Sequence, residues 1–290
     1  MNKVAIMTDT VSQMTKELAN AYDIKLVPIT IIIDGKPYPE TEIDLQWYYQ
    51  QIPKWKKDGD IPTSSSASIG YFVQAFRELS QRAESILCLC YSSKFGMMFN
   101  TALQAKKKVK EELPQTDITV IDTLTVCGAQ MLIAIEAARA AAASKSLPEI
   151  VEMTNNLVNR VSMISLIDDL SLLAKGGRIH KALPWAGSKV TNTALLEVGA
   201  ATEGRMTPLV RCKTREQALQ KLFGIVSDRS GGRRLNVAIN HADALIAAEE
   251  LRELASSRFP CVECFITPLY PTVTHHDGLG VVKFSWWAVD

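Results

Sequence analysis

The chain has 290 residues, of which 47% are hydrophobic, so it is long enough to form two hydrophobic cores of ordinary size. Its 32 Lys and Arg residues nearly balance 31 Asp and Glu residues, which argues against nucleic-acid or membrane-surface binding. The most apolar run, LVPITIII, is far shorter than the roughly 20 residues of a transmembrane helix, and the polar start does not resemble a signal peptide. We expect a cytoplasmic protein without membrane insertion, whose six cysteines are free thiols.

In the first 160 residues, apolar strand candidates alternate with amphipathic helical segments. This alternation predicts βαβ units, and therefore a mainly parallel sheet in an αβα arrangement. The predicted strands are VAIMTD, LVPITIII with a turn at IDG into a further extended piece, ILCLC and DITVID. The predicted helices are TKELANAY, DLQWYYQQIPKWKK, YFVQAFRELSQR, NTALQAKKKVKEEL, the Ala-rich segment from Gly128 to about Ala143, and PEIVEMTNNLVNR with Pro148 in its first turn. The segment IPTSSSASIG is predicted to be a polar loop.

After residue 160 the strand candidates become more frequent and fewer helices separate them. They are MISLI, LLEVG, RMTPLVRC, LNVAIN, CVECFITP and VVKFSWWAV. This pattern predicts a mixed or antiparallel sheet over a layer of helices. We therefore expect an N-terminal α/β domain over residues 1–160 and a C-terminal α/β domain over residues 161–290.

Side chains with oxygen atoms cluster where three predicted strands of the first half end. They are Thr8, Asp9 and Thr10, then Ser92 and Ser93, then Asp122, Thr123 and Thr125. Ligands of open parallel sheets bind beyond the carboxyl ends of the strands, and the loop from Thr63 to Ser66 adds four hydroxyl groups. Helix capping explains Asp9, Ser12 and Asp122 equally well. A crevice rich in hydroxyl groups and poor in carboxylate pairs favours a carboxylate, phosphate or polyol ligand over a metal.

The segment DDLSLLAKGGRI predicts a short helix that ends at Gly176 and Gly177, which can adopt the left-handed cap conformation. Arg178 follows, either as a surface residue, as an anion ligand or as the partner of a carboxylate in the other domain. The simplest role for His180 and His241 is in turns or caps, and Asp243 is predicted to be the N-cap of the next helix.

The segment THHDGLG contains His275 and His276 immediately before the last predicted strand. Adjacent residues on an extended chain point to opposite sides, so the two imidazoles are not expected to share a metal ion. Gly278 begins a Gly-x-Gly turn that lets the backbone approach a ligand closely. His276 is therefore interpreted either as a hydrogen-bond donor to an anion or as a structural histidine, and His275 either as a surface residue or as a residue that supports His276.

Seven segments, in order and spread over nearly the whole chain, resemble the DegV family. They are DTVS, PTSSSAS, YSSKFG, VIDT, DDLSLLAKGGRI, GRMTPLVRCKTR and HHDGLG. The resemblance implies a two-domain α/β fold that binds a long-chain fatty acid. It also implies that the protein has no cofactor and no nucleotide site of its own. Family members serve as the acyl-carrying subunit of a bacterial fatty acid kinase, whose separate ATP-binding subunit phosphorylates the carboxylate.

Carried over by position, the resemblance implies a set of ligand-binding residues and two residues with other roles. The ligand-binding set is Thr63, Ser64, Ser65, Ser92, Ser93, Gly96, His276 and Gly278. Arg178 is implied to lie between the domains, and Lys213 to face the kinase subunit. The family loop usually reads S-S-x-x-S-G-T, so the serine expected at position 96 is missing; either Ser92 or Ser93 supplies the hydroxyl, or the site accommodates a different head group. Lys213 stands where arginine is more usual, and lysine forms no bidentate pair.

Burying about sixteen carbons at roughly 0.8 kcal/mol per methylene gives about 12 kcal/mol of gross driving force, against about 1.5 to 3 kcal/mol for a hydrogen bond to the charged head. The tail is therefore expected to set the affinity and the head to set the orientation. Two alternatives remain: a hydrolase using Ser93, His276 and Asp9, and an enzyme of ketone or polyol phosphotransfer using His276. Neither has a supporting catalytic motif such as G-x-S-x-G or a phosphate-binding loop.

Overall fold

The computed structural model describes residues 4–179 and 193–289. In chain order the first half contains β1 (Val4–Asp9), α1 (Lys16–Ala21), β2 (Ile24–Val27), β3 (Thr30–Ile33), β4 (Lys36–Pro39), α2 (Leu45–Asp58), β5 (Thr63–Ser65), α3 (Ile69–Ser80), β6 (Ser85–Cys90), α4 (Met98–Val109), β7 (Asp117–Asp122), α5 (Cys127–Ala142) and α6 (Leu147–Val158). The second half contains β8 (Ser162–Ile167), α7 (Ser171–Lys175), β9 (Thr193–Val198), β10 (Thr207–Cys212), α8 (Arg215–Ser230), β11 (Leu235–His241), α9 (Leu245–Arg258), β12 (Cys261–Pro268), α10 (Pro271–Asp277) and β13 (Val282–Ala288).

A parallel sheet with the strand order β2-β1-β6-β7 organises the first half. All six residues of β1 are buried, as expected for a parallel sheet that is covered on both faces. The helices predicted for this half are present, including the one with Pro148 in its first turn, and so are the strands, except that LVPITIII is divided at Pro28 into β2 and β3, which belong to different sheets. The prediction of a mainly parallel sheet is therefore confirmed.

A small antiparallel sheet with the order β4-β3-β5 accompanies the parallel sheet. Its strand β5 pairs with β3 through Ile31 and Ser64 and the residues on either side of them. The prediction of a polar loop at IPTSSSASIG is therefore wrong for Thr63–Ser65. The serine run lacks the apolar alternation that marks a strand, and pairing with the backbone of β3 makes it one.

A six-stranded sheet with the order β10-β9-β8-β13-β11-β12 organises the second half, and all six predicted strands belong to it. Only the β11 and β12 pair is parallel among the five pairs of these strands. Phe284 and Trp286 of β13 pack in one cluster with Leu222 and Phe223 of α8. The prediction of a mixed sheet over helices is confirmed.

Helix α5 packs against both large sheets and joins their cores. At its start, the Gly128 N–H donates to Asn240 Oδ1 of β11 at 2.8 Å, while Gln130 Nε2 donates to Thr8 Oγ1 of β1 at 2.9 Å. A Cβ on Gly128 would lie 2.8 Å from the Ala238 Cβ, so the glycine permits this close approach. The alanine-rich composition of α5 reflects this contact on both sides. The domain boundary near residue 160, between α6 and β8, stays a proposal.

Two predictions near the chain's later histidines are wrong. His275 and His276 lie in helix α10 rather than on an extended segment, because Pro271 at its first turn starts a helix that continues to Asp277. Their rings consequently lie together, with centroids 3.8 Å apart. Asp243 is not the N-cap of α9; the cap is Ala244, whose N–H donates to His241 Nδ1 at 3.2 Å. His180 lies outside the described residues.

Within residues 4–179 and 193–289, no helix is both long and apolar enough to cross a membrane. The same residues contain no group of three or more His, Cys, Asp or Glu side chains arranged to hold a metal ion. Cys261 and Cys264 lie on β12 and are free thiols. The four buried cysteines, on other elements, are free thiols as well.

Candidate functional site

A cavity of about 280 Å³ lies between residues of the first and second halves. Its volume is near the lower end of the range of about 300–1,000 Å³ that is typical of small-molecule sites. Much of its wall is apolar, formed by Val11, Ile29, Phe95, Val126, Leu173 and Met206. An alkyl group fits such a wall, because apolar side chains make no demand for hydrogen bonds.

A second cavity of about 470 Å³ adjoins the first. The two cavities share Ser64, Arg178 and His276. The second cavity is more polar around this junction, where it is also lined by Thr63, Lys175, Gly176 and His275. At these shared residues the apolar chamber meets the hydroxyl of Ser64, the imidazole of His276 and the guanidinium of Arg178. We call this place the polar junction.

The first half contributes hydroxyl groups through β5 and the residue that follows it. Ser64 lines both cavities, Thr63 lines the second, and Ser65 and Ser66 line the first. The Ser66 Oγ accepts a hydrogen bond from the Met97 N–H at 3.1 Å, which holds the serine segment against the loop after β6. These hydroxyls are neutral donors suited to an anion.

Gly96 lies in the loop after β6 and lines the first cavity together with Tyr91. A Cβ built on Gly96 would lie only 2.0 Å from the Tyr91 hydroxyl oxygen. Any side chain at position 96 would therefore displace the tyrosine. The absence of the expected serine is thus coupled to the presence of Tyr91, which is 7% exposed.

Ser92 and Ser93 lie beside this cavity but do not line it within the described part of the chain. The buried Ser92 Oγ donates to the Gly204 carbonyl at 2.8 Å, linking the loop to the second half. The Ser93 N–H contacts the Asp122 carboxylate at 3.2 and 3.3 Å. The structure thus gives both serines a part in holding the loop.

The strand-end carboxylates cap the backbone rather than face the cavity. Asp9 accepts hydrogen bonds from the Val11 N–H at 3.0 Å and the Tyr91 N–H at 2.9 Å, and Ser12 donates to the Asp9 carbonyl at 2.8 Å. Asp122 accepts from the Leu124 N–H at 3.0 Å. Burial is the main cause that raises the pKa of Asp9 to about 7. These contacts match the capping interpretation of the strand ends.

The second half contributes α10, whose start is anchored by the buried Glu40. The Glu40 carboxylate accepts from the Thr272 N–H at 3.1 Å, from the Thr272 hydroxyl at 2.6 Å, and from the Thr10 hydroxyl. Desolvation raises the pKa of Glu40 above its usual value. A carboxyl group that accepts two hydrogen bonds from the first turn of α10 and one from Thr10 fixes the position of the helix that carries His276.

His276 projects from α10 into the polar junction, and its Nε2 is buried without a partner among the described residues. Burial, followed by the neighbouring His275, Arg178 and Lys283, lowers the pKa of His276 to about 2. His276 is therefore neutral at physiological pH and can donate from one ring nitrogen. A Cβ on Gly176 would lie 2.7 Å from His276 Nδ1, so this glycine makes room for the ring.

His275 packs against His276 and is held by its own helix. Its Nδ1 lies 2.7 Å from the Pro271 carbonyl oxygen, which requires the proton to be on Nδ1. Burial lowers the pKa of His275 to about 4. It is 5% exposed and lines the second cavity, so it is not at the surface, whereas its ring contact with His276 agrees with the supporting role.

A buried ion pair lines the first cavity at the end of α10. Lys283 Nζ lies 2.6 Å from Asp277 Oδ2 and donates to Ser165 Oγ at 3.1 Å. Both partners are nearly inaccessible to solvent, and although desolvation opposes the charge, Asp277 keeps the pKa of Lys283 raised. The pair ties the residue next to His276 to the central strand β13.

Arg178 lies at the polar junction, after a Schellman cap in which its N–H donates to the Leu173 carbonyl and Gly177 has φ +69°. One Arg178 guanidinium nitrogen donates to the Gly176 carbonyl at 2.6 Å, and the side chain is half-buried. Lys213 is exposed and lies outside both cavities. Gly278, at φ +88°, ends α10 and is not among the described residues that line the cavities.

Three residues of the site were not identified from the sequence. Tyr91 directly precedes the serine pair, but only the fold shows its hydroxyl above Gly96. Glu40 is distant in sequence from Thr272, so nothing local marks their contact. Lys283 did carry a signal, since a single charged residue inside the apolar strand VVKFSWWAV requires a buried partner.

The fold and the cavity define an α/β protein in which a parallel sheet and a mixed sheet enclose an apolar chamber with a polar junction. Residues 3–288 match the profile of the family described as uncharacterised protein, DegV family. The chain belongs to the DegV family.

Relatives of known sequence or structure agree with this assignment. A DegV domain-containing protein of Streptococcus pyogenes serotype M1 is 29% identical over 273 residues, which are 94% of each chain. A DegV lipid-binding protein from Thermotoga maritima superposes with a TM-score of 0.88 and 23% identity over 99% of both chains. A DegV family protein from Thermus thermophilus, reported as fatty-acid binding, gives a TM-score of 0.89 at 21% identity over 99% of this chain and 100% of its own. These similarities establish the fold.

Proposed function

We propose that this protein binds a long-chain fatty acid, with its alkyl chain in the apolar cavity and its carboxylate at the polar junction. The observation that carries the proposal is that Ser64, Arg178 and His276 line both cavities, one of which is lined largely by aliphatic and aromatic side chains. The lipid-binding and fatty-acid-binding relatives from Thermotoga maritima and Thermus thermophilus support it.

The energetic roles of the two ends differ. Each buried methylene contributes about 0.8 kcal/mol, so a long chain supplies most of the affinity. Each hydrogen bond to the carboxylate contributes about 1.5 to 3 kcal/mol and orients the chain. A neutral His276 and several hydroxyls bind a carboxylate without the larger desolvation cost of a fully buried cation.

We also propose that the protein presents the bound acid to a separate ATP-dependent kinase subunit and has no turnover of its own. The second cavity supports this part, because it reaches the polar junction from a side that is more polar and leaves the carboxylate accessible. The exposed Lys213 is the proposed contact with the kinase subunit, and the proposed location of both proteins is the cytoplasm.

Reconstitution with the catalytic subunit of a bacterial fatty acid kinase and ATP tests the presentation. Acyl phosphate should form, and Lys213→Ala should slow its formation while leaving the affinity for fatty acid unchanged, because Lys213 lies outside both cavities. Equal rates for the two proteins would refute the assignment of Lys213.

The hydrolase alternative has weaker support. Asp9 is engaged by backbone N–H groups, and the Ser93 N–H is held by Asp122, whereas His276 packs against His275 and Gly176. A catalytic triad requires the carboxylate, imidazole and serine hydroxyl to contact one another in sequence. The apolar wall likewise fits a small polyol poorly.

Direct ligand analysis tests the proposed binding. Protein purified without detergent is denatured and extracted into organic solvent, and the extract is analysed by mass spectrometry. Delipidated protein is then titrated with hexadecanoic acid and, in parallel, with glycerol and dihydroxyacetone. Recovery of a stoichiometric long-chain acid and saturable binding of hexadecanoic acid support the proposal. No acid in the extract, together with binding of a short polyol alone, would overturn it.

A further inference from the structure

The Tyr91 hydroxyl occupies a distinctive position at the cavity. The residue follows directly after β6, is 7% exposed, and lines the chamber with Ser64, Gly96 and His276. Its backbone is held against the end of β1, because its N–H donates to Asp9 Oδ2 at 2.9 Å. The phenol ring is therefore held by the sheet, which makes it a rigid support for a single polar atom.

The Tyr91 hydroxyl oxygen occupies space that a side chain at position 96 would otherwise fill. A Cβ built at position 96 would lie 2.0 Å from the Tyr91 oxygen and 3.1 Å from the ring carbon that bears it. The oxygen thus fills the space that the first atoms of a side chain at position 96 would need. The chain has a hydroxyl at this point of the cavity although the residue at position 96 is glycine.

The surroundings leave the hydroxyl proton available to a ligand. Ser66 is a polar neighbour of the Tyr91 hydroxyl, and because its Oγ accepts from the Met97 N–H at 3.1 Å, its own proton can be donated to the phenol oxygen. Desolvation raises the pKa of Tyr91 far above its usual value, so the phenol stays protonated. A phenol that accepts from Ser66 retains its own proton as a donor.

We propose that the Tyr91 hydroxyl donates a hydrogen bond to the head group of the bound ligand, and that Gly96 is required because the tyrosine supplies this donor from the strand side. The inference rests on the proposed binding of a fatty acid and assigns one contact of its carboxylate. It gives Gly96 the role of making room, and it gives Ser92 and Ser93 the role of holding the loop.

A double-mutant cycle between positions 91 and 96 tests the assignment. Tyr91→Phe should weaken hexadecanoic acid binding roughly ten- to a hundred-fold, which is the loss expected for one hydrogen bond to a charged group. Gly96→Ser alone should disturb binding and folding, because its Cβ meets the Tyr91 oxygen. The double variant Tyr91→Phe, Gly96→Ser removes the 2.0 Å contact and restores a hydroxyl while the 3.1 Å contact with the ring carbon remains, so it should bind more tightly than Gly96→Ser alone.

Two controls separate the hydrogen bond from general damage. Tyr71→Phe removes a hydroxyl from an exposed tyrosine on α3, away from both cavities, and should leave binding unchanged. Hexadecan-1-ol has the same tail with a neutral head, so Tyr91→Phe should weaken its binding by a smaller factor than that of the acid. Thermal unfolding of each variant reports whether it is folded.

The outcomes distinguish this inference from the function on which it rests. Unchanged acid affinity in a folded Tyr91→Phe protein, with weaker binding in His276→Ala, would overturn the role of Tyr91 and leave fatty-acid binding intact. Equal weakening for acid and alcohol would also overturn it, because the loss would then come from the tail. A wild-type protein that binds no fatty acid would refute the proposed function itself.

Discussion

The two halves of the chain contribute polar groups to the lining of the cavity in different ways. The polar lining from the first half, which we call the hydroxyl wall, consists of hydroxyl groups held by strand pairing and backbone hydrogen bonds, at β5 and at the loop after β6. The polar lining from the second half, which we call the helical wall, consists of the His276 imidazole on α10, which buried ionisable groups anchor, and the Arg178 guanidinium just after α7. Both walls place a glycine against a ring: Gly96 against Tyr91, and Gly176 against His276.

The two sides of the site therefore respond differently to substitution and to pH. The hydroxyl wall remains neutral over the physiological pH range and depends on shape. The helical wall depends on the protonation state of His276 and on the Asp277–Lys283 pair. Changes to the helical wall should therefore have larger and more pH-dependent effects than changes to the hydroxyl wall.

The largest expected effect is on the ion pair that ends the helical wall. Lys283→Met leaves Asp277 buried without its partner and should lower the free energy of unfolding by about 3–5 kcal/mol. Lys25→Met removes a pair with Glu78 in which both side chains are at least 40% exposed, and should cost less than about 1 kcal/mol. Urea unfolding measures both. Equal losses would contradict the structural importance of the buried pair.

The second prediction separates the histidine from the serine loop. His276→Ala should weaken hexadecanoic acid binding by about 1.5–3 kcal/mol, because a buried donor at the polar junction is lost. Ser93→Ala should have little effect, since the contact of Ser93 with Asp122 is made by its backbone N–H. Isothermal titration calorimetry provides both affinities. A greater loss for Ser93→Ala would move the head group to the serine loop.

The third prediction concerns the glycine of the helical wall. Gly176→Ala places a Cβ 2.7 Å from the His276 ring and should cost about 1–3 kcal/mol of stability by overpacking, with weaker ligand binding. Gly224→Ala, inside α8, has open space around it and should instead stabilise the protein by about 0.5–1 kcal/mol. Thermal unfolding compares them. Stabilisation by both substitutions would show that Gly176 does not position His276.

The fourth prediction is a change of stability with pH. Because the pKa of His276 is lowered from 6.5 to about 2, the folded protein binds fewer protons than the unfolded chain below pH 6.5. Its contribution to stability is therefore present above pH 6.5 and decreases as the pH falls, by up to about 1.4 kcal/mol per pH unit. The stability of wild type relative to His276→Ala should decline between pH 6.5 and pH 4.

The same comparison removes the opposing effect of Asp9. The pKa of Asp9 is raised from 3.8 to about 7, so its contribution is greatest below pH 3.8 and is lost as the pH rises to 7. Asp9 is present in both proteins, and its contribution cancels in the difference. A difference that stays constant from pH 6.5 to pH 4 would show that His276 titrates normally in the folded protein.

Sequence patterns predicted the two large sheets because their strands are apolar runs that end in turns or polar residues. They failed at β5, which is a strand only through its pairing with β3, and at α10, where two histidines and glycines masked a seven-residue helix that begins at Pro271. Local patterns contain no information about such contacts.

The residues of the candidate site likewise divide into those that local sequence identifies and those that only long-range contacts reveal. The serine segment and His276 were recognisable because the residue types and motifs are local. Tyr91 was not, since the position of its hydroxyl depends on the path of the loop to Gly96. The anchoring of α10 by Glu40 joins residues that are 232 positions apart, which only the folded chain brings together.

A crystal structure of the complex with hexadecanoic acid tests the central claim most directly. The account predicts the carboxylate at the polar junction, within hydrogen-bonding distance of Ser64 and His276, and the alkyl chain between Ile29, Phe95 and Val126. A carboxylate paired with Lys283 instead of Ser64 and His276, or an alkyl chain bound outside this cavity, would contradict it.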